Sequence, residues 1–369
     1  MITWHEELPF DFSEPMTNLF FTEQTIFFDI ETTGFSPARS NLYLIGCATR
    51  KADMLCIDQF FAESKDEESE VICAFFALLA QYHTIITFNG IGFDIPYLKA
   101  KCDSLRIPSP FDTHTYIDLY KEVSKQKALL GLASLRQKSI ELFLGIDRVD
   151  LFSGGELIEV YKAYTRQPTD EALLLLRQHN YEDVLYMPKL LPILSYREVL
   201  TSQLTVTALE ANESRTFDGG TQKELIFTLS GAFPVPKPLS YRCDDCYLAF
   251  RHTDLRLCVK LFDGELRFFF ENPKDYYYLP GEDCAVLKSL ATGVDRVYRR
   301  QANTSNCYAR KHAIFLPQYE ELFTPAFRKN ARDRKSYFEL SEDFVASTAL
   351  QERYISHLLA HINTKKSRA

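Results

Sequence analysis

Apolar and polar positions change their period along this chain. Residues Thr25–Thr32 (TIFFDIET) form an apolar, β-forming run closed by Gly34 and Pro37, which predicts a buried strand. Leu42–Thr49 and Met54–Phe61 predict two more strands of ordinary length. Large apolar residues recur at helical spacing across Glu70–Gln81, and His83–Phe88 reads as a strand that stops at Asn89-Gly90. Ile95–Leu105 predicts a helix with Pro96 in its first turn, where a missing N–H costs nothing. Thr115–Leu119 reads as a short strand, and Leu129–Phe143, Gly155–Thr165 and Thr169–Met187 as helices. This order predicts an α/β layered domain with a mixed five-stranded sheet flanked by helices.

After Pro188 and Pro192 the pattern turns to short β-rich pieces over residues 222–316 (ELIFTLS, YLAFRHT, RLCVKLF, ELRFFFE, AIFLPQ). Phe262-Asp263-Gly264-Glu265 predicts a hairpin turn, Asp283–Tyr298 a helix, and Phe344–His361 a closing helix. A length of 369 residues suits two domains, set here at 1–200 and 201–369. The second is expected to be a mixed β-rich α+β domain with a nucleic-acid-binding or substrate-guiding role.

Composition narrows the class. With 46% hydrophobic and 25% charged residues the chain is globular, not disordered or fibrous. No apolar run approaches the roughly 20 residues of a membrane span. The start, MITWHEELPFDFSEP, has neither the basic nor the apolar region of a secretory signal. A cytoplasmic protein without membrane contact is expected, with its nine Cys, an odd number, as reduced thiols. Residues 1–200 hold 18 Lys and Arg against 29 Asp and Glu, and the remainder 24 against 21. An acidic half beside a mildly basic one suits a metal-carrying acidic site next to a module that touches phosphates.

The acids themselves carry the candidate chemistry. Asp29 and Glu31 lie two apart on one strand, so both face the same side, among Phe27, Phe28 and Ile30. Two acids in a buried strand need a compensating cation, and hard oxygen ligands suit Mg²⁺ or Mn²⁺; a solvent-facing strand end is the alternative. Asp94 falls at a strand-to-helix turn, where an acid serves equally as a helix N-cap. Asp183 sits on an apolar helical stretch, with His179 four residues earlier on the same face. Asp118 ends a strand and is read first as a helix cap. Cys243-Asp244-Asp245-Cys246 has the spacing of half a zinc site, with Cys258, Cys284 and Cys307 available to complete it, but no second C-x-x-C accompanies it. Two basic stretches, Arg296–Lys311 with Tyr298 and Tyr308, and Arg328–Lys335, have the ingredients of single-strand binding or of plain solvated surface.

FFDIETTGF, FNGIGFDIPYL and HNYED together resemble the three exonuclease motifs of the DEDD 3′–5′ exonuclease superfamily, which has the ribonuclease H-like fold. Within it the chain is most similar to the YprB-like ribonuclease H-like domain family, whose further motifs match Leu132–Leu135 and Asn180–Asp183. The likeness covers residues 20–195. It implies that Asp29, Glu31, Asp94 and Asp183 hold two divalent ions, Mg²⁺ or Mn²⁺, and that Glu31, His179 and Asp183 take part in catalysis. It also implies that Asn89, Phe93 and Thr32 contact the nucleic acid, and that the activity is two-metal hydrolysis of single-stranded DNA or RNA from the 3′ end. One departure stands out. The superfamily places Tyr four residues, or His five residues, before its last Asp; here His179 is at four and Gln178 at five. His179 is therefore either the proton acceptor or a local hydrogen-bonding group. A catalytically weak or inactive nucleic-acid-binding or regulatory protein on the same scaffold is the competing expectation. The sequence leaves protein partners open.

Overall fold

The computed structural model describes residues 1–148, 154–215 and 219–366, and divides them into two units. The first is Met1–Glu198 with Phe233–Lys237; the second is Val199–Ala232 with Pro238–Ala369. In the first unit the strands are β1 (Ile2–Pro9), β2 (Thr25–Thr32), β3 (Leu42–Lys51), β4 (Met54–Phe61), β5 (Thr84–Thr87) and β6 (Thr115–Asp118). They lie in the order β1-β4-β3-β2-β5-β6, with β5 and β6 parallel in the β2 direction and the rest antiparallel. The helices are α1 (Pro15–Phe20), α2 (Glu68–Leu79), α3 (Asp94–Leu105), α4 (Leu119–Ser124), α5 (Lys127–Leu130), α6 (Gln137–Leu144), α7 (Gly154–Tyr164), α8 (Asp170–Tyr186) and α9 (Ser195–Thr201).

The strand period of two divides β2 between two cores. Ile26, Phe28 and Ile30 pack with Phe75 and Leu79 of α2 and Leu98 of α3 on one face. Asp29 and Glu31 therefore point to the other face, where α8 lies across β2, β3 and β4. On that side Tyr43, Leu44 and Phe61 meet Leu157, Tyr161 and Tyr164 of α7 and Leu176 of α8. The expected mixed α/β sheet is present, but with six strands in place of five. The sixth is β1, which pairs with β4 from Ile2–Phe61 to Pro9–Met54. Its alternation of half-buried and exposed positions, with His5, Glu6 and Glu7, suits an edge strand and gives no apolar run to read. The helix expected over Leu129–Phe143 is two: α5 stops at Gly131 in the left-handed region (φ 63°), and α6 starts at Gln137.

In the second unit the strands are β7 (Thr205–Arg215), β8 (Thr221–Ser230), β9 (Leu239–Arg242), β10 (Cys246–Arg251), β11 (Asp254–Lys260), β12 (Phe262–Phe269), β13 (Tyr276–Leu279), β14 (Cys284–Leu287), β15 (Arg300–Gln301), β16 (Tyr308–Gln318) and β17 (Ser336–Glu339). They form sheets ordered β7-β8-β11-β10-β9, β12-β16-β17 and β14-β13-β15, so this region is β-rich as expected. It closes with α10 (Glu342–Ala346) and α11 (Thr348–Lys366), because extended backbone at Ser347 interrupts the single helix expected there. Asp263-Gly264 is not a turn. Both residues lie inside β12, opposite Ile314 and Ala313 of β16, so long-range pairing overrides the local turn signal. Asp283–Tyr298 is not a helix either. Asp283 accepts hydrogen bonds from the Tyr278 and Tyr308 hydroxyls, and the following residues zip onto β13 as β14. Cys243 and Cys246 are joined by a disulfide, which corrects the reduced-thiol expectation for this pair and removes it as half of a zinc site. The other seven cysteines are free thiols. Among the described residues no helix is long and apolar enough to cross a membrane.

Candidate functional site

Three elements bring the four acids together. Asp29 and Glu31 come from β2, where Glu31 is 7% exposed. Asp94 opens α3, but Phe93 takes the N-cap position, and the Asp94 side chain is free for another use. Its Oδ1 accepts a hydrogen bond from the backbone N–H of Ile30, between the two β2 acids, at 3.2 Å. Asp183 comes from the last turns of α8. The Asp29 carboxyl is raised well above the usual carboxylate range, first by burial, then by the charges of Asp183, Asp94 and Glu31. Burial lifts Asp94 to about 7, with further upward pressure from Asp118 and Asp183. The four carboxylates thus feel one another's charge, as groups sharing one site do.

His179 is buried between two of them. Its Nε2 lies 3.7 Å from Glu31 Oε1 and 3.5 Å from Asp183 Oδ2. Glu31, His179 and Asp183 offer ligand atoms within 4.8 Å of one another, a group that can hold a metal ion. Its donors are two hard carboxylates and one imidazole, and Asp29 and Asp94 add further carboxylate oxygen beside them. This excess of buried negative charge fits a divalent cation such as Mg²⁺ or Mn²⁺.

Two partners fix the acids in place. Asn180, fully buried, donates through Nδ2 to Asp29 Oδ2 at 3.2 Å and accepts from Gln59 Nε2 at 3.0 Å. It can lie there because Gly46, opposite Asp29 in the β2–β3 register, has no side chain: a Cβ would stand 2.0 Å from Asn180 Oδ1. On the other side Arg148 reaches Asp183 Oδ1 at 2.6 Å through its terminal nitrogen. The same guanidinium grips Glu141 with Nε and its second terminal nitrogen at 2.5 and 2.7 Å. Gln137 then donates to both Glu141 Oε1 and the Asp183 backbone oxygen.

The remaining sequence-selected residues lie around this centre. Asn89 turns the chain in the left-handed region (φ 66°), and its N–H donates to Asp118 Oδ1. Asp118 also accepts from Ile91 N–H and caps α4 through Lys121 N–H, so the cap reading holds and one carboxylate pins two turns. Phe93 packs on Tyr97 and meets Phe35 edge-on at 5.9 Å, and Phe35 is 89% exposed. The Thr32 hydroxyl donates to the Gly34 carbonyl, which shapes the turn after Glu31. The sequence reading missed Arg148, Glu141, Gln59 and Gly46. Arg148, Gln59 and Gly46 act on Asp183 or Asn180 across chain separations that no periodicity records, and Glu141, close in sequence to Gln137 and Arg148, has only the spacing of an ordinary helix-face acid.

A model of the RNase_H superfamily matches residues 26–195. A DNA polymerase of Thermococcus sp. (strain 9oN-7) is 29% identical over 102 residues, 27% of this chain and 13% of the polymerase, so the chain spans a small part of that relative's length. Similar solved structures include the family B DNA polymerase of Pyrobaculum calidifontis (22% identity, TM-score 0.37, 46% of this chain and 25% of that one). Another is E. coli exonuclease I in complex with a dT13 oligonucleotide (13% identity, TM-score 0.29, 56% of this chain and 54% of that one). With the family match spanning β2 to β6, the acids and α8, residues 26–195 form an RNase H-like superfamily domain.

Proposed function

We propose that this protein is a metal-dependent nuclease that hydrolyses phosphodiester bonds at the 3′ ends of single-stranded DNA or RNA, with residues 201–369 guiding the strand. The observation that carries this reading is the convergence of Asp29, Glu31, Asp94 and Asp183 in one buried cluster whose charge calls for cations. Two Mg²⁺ or Mn²⁺ ions held by these acids would supply an activated water and charge neutralisation at the leaving oxygen. The chain's own groups do the rest. Asn180 and Arg148 hold Asp29 and Asp183 in fixed orientations. His179, beside both Glu31 and Asp183, accepts the proton of the attacking water through Nε2. Phe93 and the exposed Phe35 offer an aromatic surface to the terminal base, while Asn89 and Thr32 shape the turns that border it.

A second reading, a catalytically weak nucleic-acid-binding or regulatory protein on this scaffold, draws on Arg148, whose cation already satisfies one oxygen of Asp183. The deciding experiment follows 5′-labelled single-stranded DNA and RNA incubated with Mn²⁺, Mg²⁺ or EDTA, using wild type and Asp29→Asn. A metal-dependent ladder shortening from the 3′ end, absent in the variant, supports the nuclease. Binding without cleavage by either protein supports the second reading, and cleavage that survives Asp29→Asn refutes the assigned site.

A further inference from the structure

Sheet β7-β8-β11-β10-β9 has two unlike faces. Leu225, Phe227 and Leu229 of β8, Leu248 and Phe250 of β10, and Leu255, Leu257 and Val259 of β11 are buried on one of them. Phe227 there meets Tyr354 of α11. By the alternation of strands, the opposite face carries Arg242, Tyr247, Arg251, Arg256 and Lys260, all exposed. Tyr247, 38% exposed, lies directly between Arg242 of β9 and Cys258 of β11. Arg256 and Lys260 flank Cys258 two residues to either side, which puts both diagonal to Tyr247, at about 7–8 Å between Cα atoms. A groove of about 400 Å³ runs here, its lining including Arg215, Glu224, Arg242, Tyr247, Cys258 and Lys260.

In the basic stretches the sequence singled out, Arg310 is paired with Glu265, Lys335 with Asp245, Arg328 with Glu321 and Lys311 with Glu339, whereas Arg296, Arg299, Arg300, Lys329, Arg332 and Arg334 have no carboxylate partner among the described residues. What sets the β9–β11 cations apart is that they share one face of a regular sheet with Tyr247. Among the described residues none of Arg242, Arg251, Arg256 and Lys260 is paired with a carboxylate; Lys260 touches only the Asp244 carbonyl. Asp254 of β11 and Glu224 of the adjoining β8 are the acids on these strands, against four cations. Unpaired cations around an exposed aromatic ring match a chain of phosphates carrying flat bases.

We infer that the outer face of β9, β10 and β11 is a single-strand nucleic-acid platform, on which a base stacks on Tyr247 while Arg242, Arg256 and Lys260 hold the neighbouring phosphates. This deepens the proposed function by naming where the second unit receives the strand, and it rests on that reading for its choice of ligand. The test uses the full chain in EDTA, where the acidic site cannot act. Fluorescence anisotropy of a labelled oligothymidylate of about 15 nucleotides is measured across a salt series. Arg242→Gln with Arg256→Gln is expected to weaken binding at least tenfold and to reduce the slope of log affinity against log salt by about 1.4, or 0.7 for each phosphate no longer neutralised. Tyr247→Ala is expected to weaken binding roughly 5- to 100-fold with the slope unchanged. All three positions are exposed, and an unchanged melting temperature shows that the variants fold. Wild-type affinity and slope in the variants overturn the platform, as does blunt duplex binding as tight as the single strand. Binding that depends on these residues, with no cleavage when Mn²⁺ is added, keeps the platform and refutes the nuclease.

Discussion

Replacing Gly46 by alanine tests how the acidic centre is held. The added Cβ would lie 2.0 Å from Asn180 Oδ1, 2.9 Å from its Cγ and 3.1 Å from its Nδ2. Carbon–oxygen contact begins at about 3.3 Å, so α8 has to back away from β3 by about 1.3 Å, or Asn180 has to leave. Asn180 is fully buried and has no open space to enter. Either response breaks the donation from Gln59 to Asn180 and from Asn180 to Asp29. Overpacking costs about 1–3 kcal/mol, and each of the two broken donations about 1–3 kcal/mol more, so a loss of about 3–9 kcal/mol is expected. Asp183 rides on the same helix, and displacement of about 1 Å at a reacting centre costs on the order of 100-fold in rate. Urea denaturation and oligonucleotide cleavage measure the two effects separately. The double variant with Asn180→Ala removes the clash, so it should be more stable than Gly46→Ala alone, a coupling opposite in sign to simple addition. Wild-type stability in Gly46→Ala, or additive losses in the double variant, would refute this account of how Gly46 and Asn180 fit together.

Three further outcomes are expected. Because folding raises the Asp29 and Asp94 carboxyls, the metal-free protein should be most stable at or below the ordinary carboxylate range and lose stability as pH rises through about 7. Melting temperatures in EDTA from pH 5 to 8 should therefore fall, and Mn²⁺ should abolish the fall; equal curves with and without metal would argue against a cation site. Arg148→Met leaves Glu141 buried and unpaired at a cost of about 3–5 kcal/mol, whereas adding Glu141→Gln should recover much of it, as read by urea denaturation. His179→Asn should lower the cleavage rate by about 10²–10⁴-fold while Mn²⁺ binding by calorimetry stays near wild type. Loss of metal binding instead would make His179 a ligand.

The local pattern was enough to place β2, α3 and α8, because a buried strand and a periodic helix are written in adjacent residues. The D-x-E spacing on β2 likewise put two acids on one face before any fold was known. It was not enough to find β1, whose mixed polar alternation is that of an edge strand, or to see that β12 runs straight through Asp263-Gly264. In both cases a partner distant in the chain decides the conformation, and propensity records only neighbours.

The sequence by itself therefore determined the kind of domain and nominated Asp29, Glu31, Asp94 and Asp183 as candidate acids. Tertiary structure alone decided what surrounds them. Arg148 meets Asp183, Asn180 meets Asp29 over Gly46, and Arg242, Arg256 and Lys260 come beside Tyr247, all through strand register and helix packing. The physical reason is that hydrogen bonds, ion pairs and charge screening depend on distances of a few ångström in space. Residues tens of positions apart reach those distances only when the chain has folded.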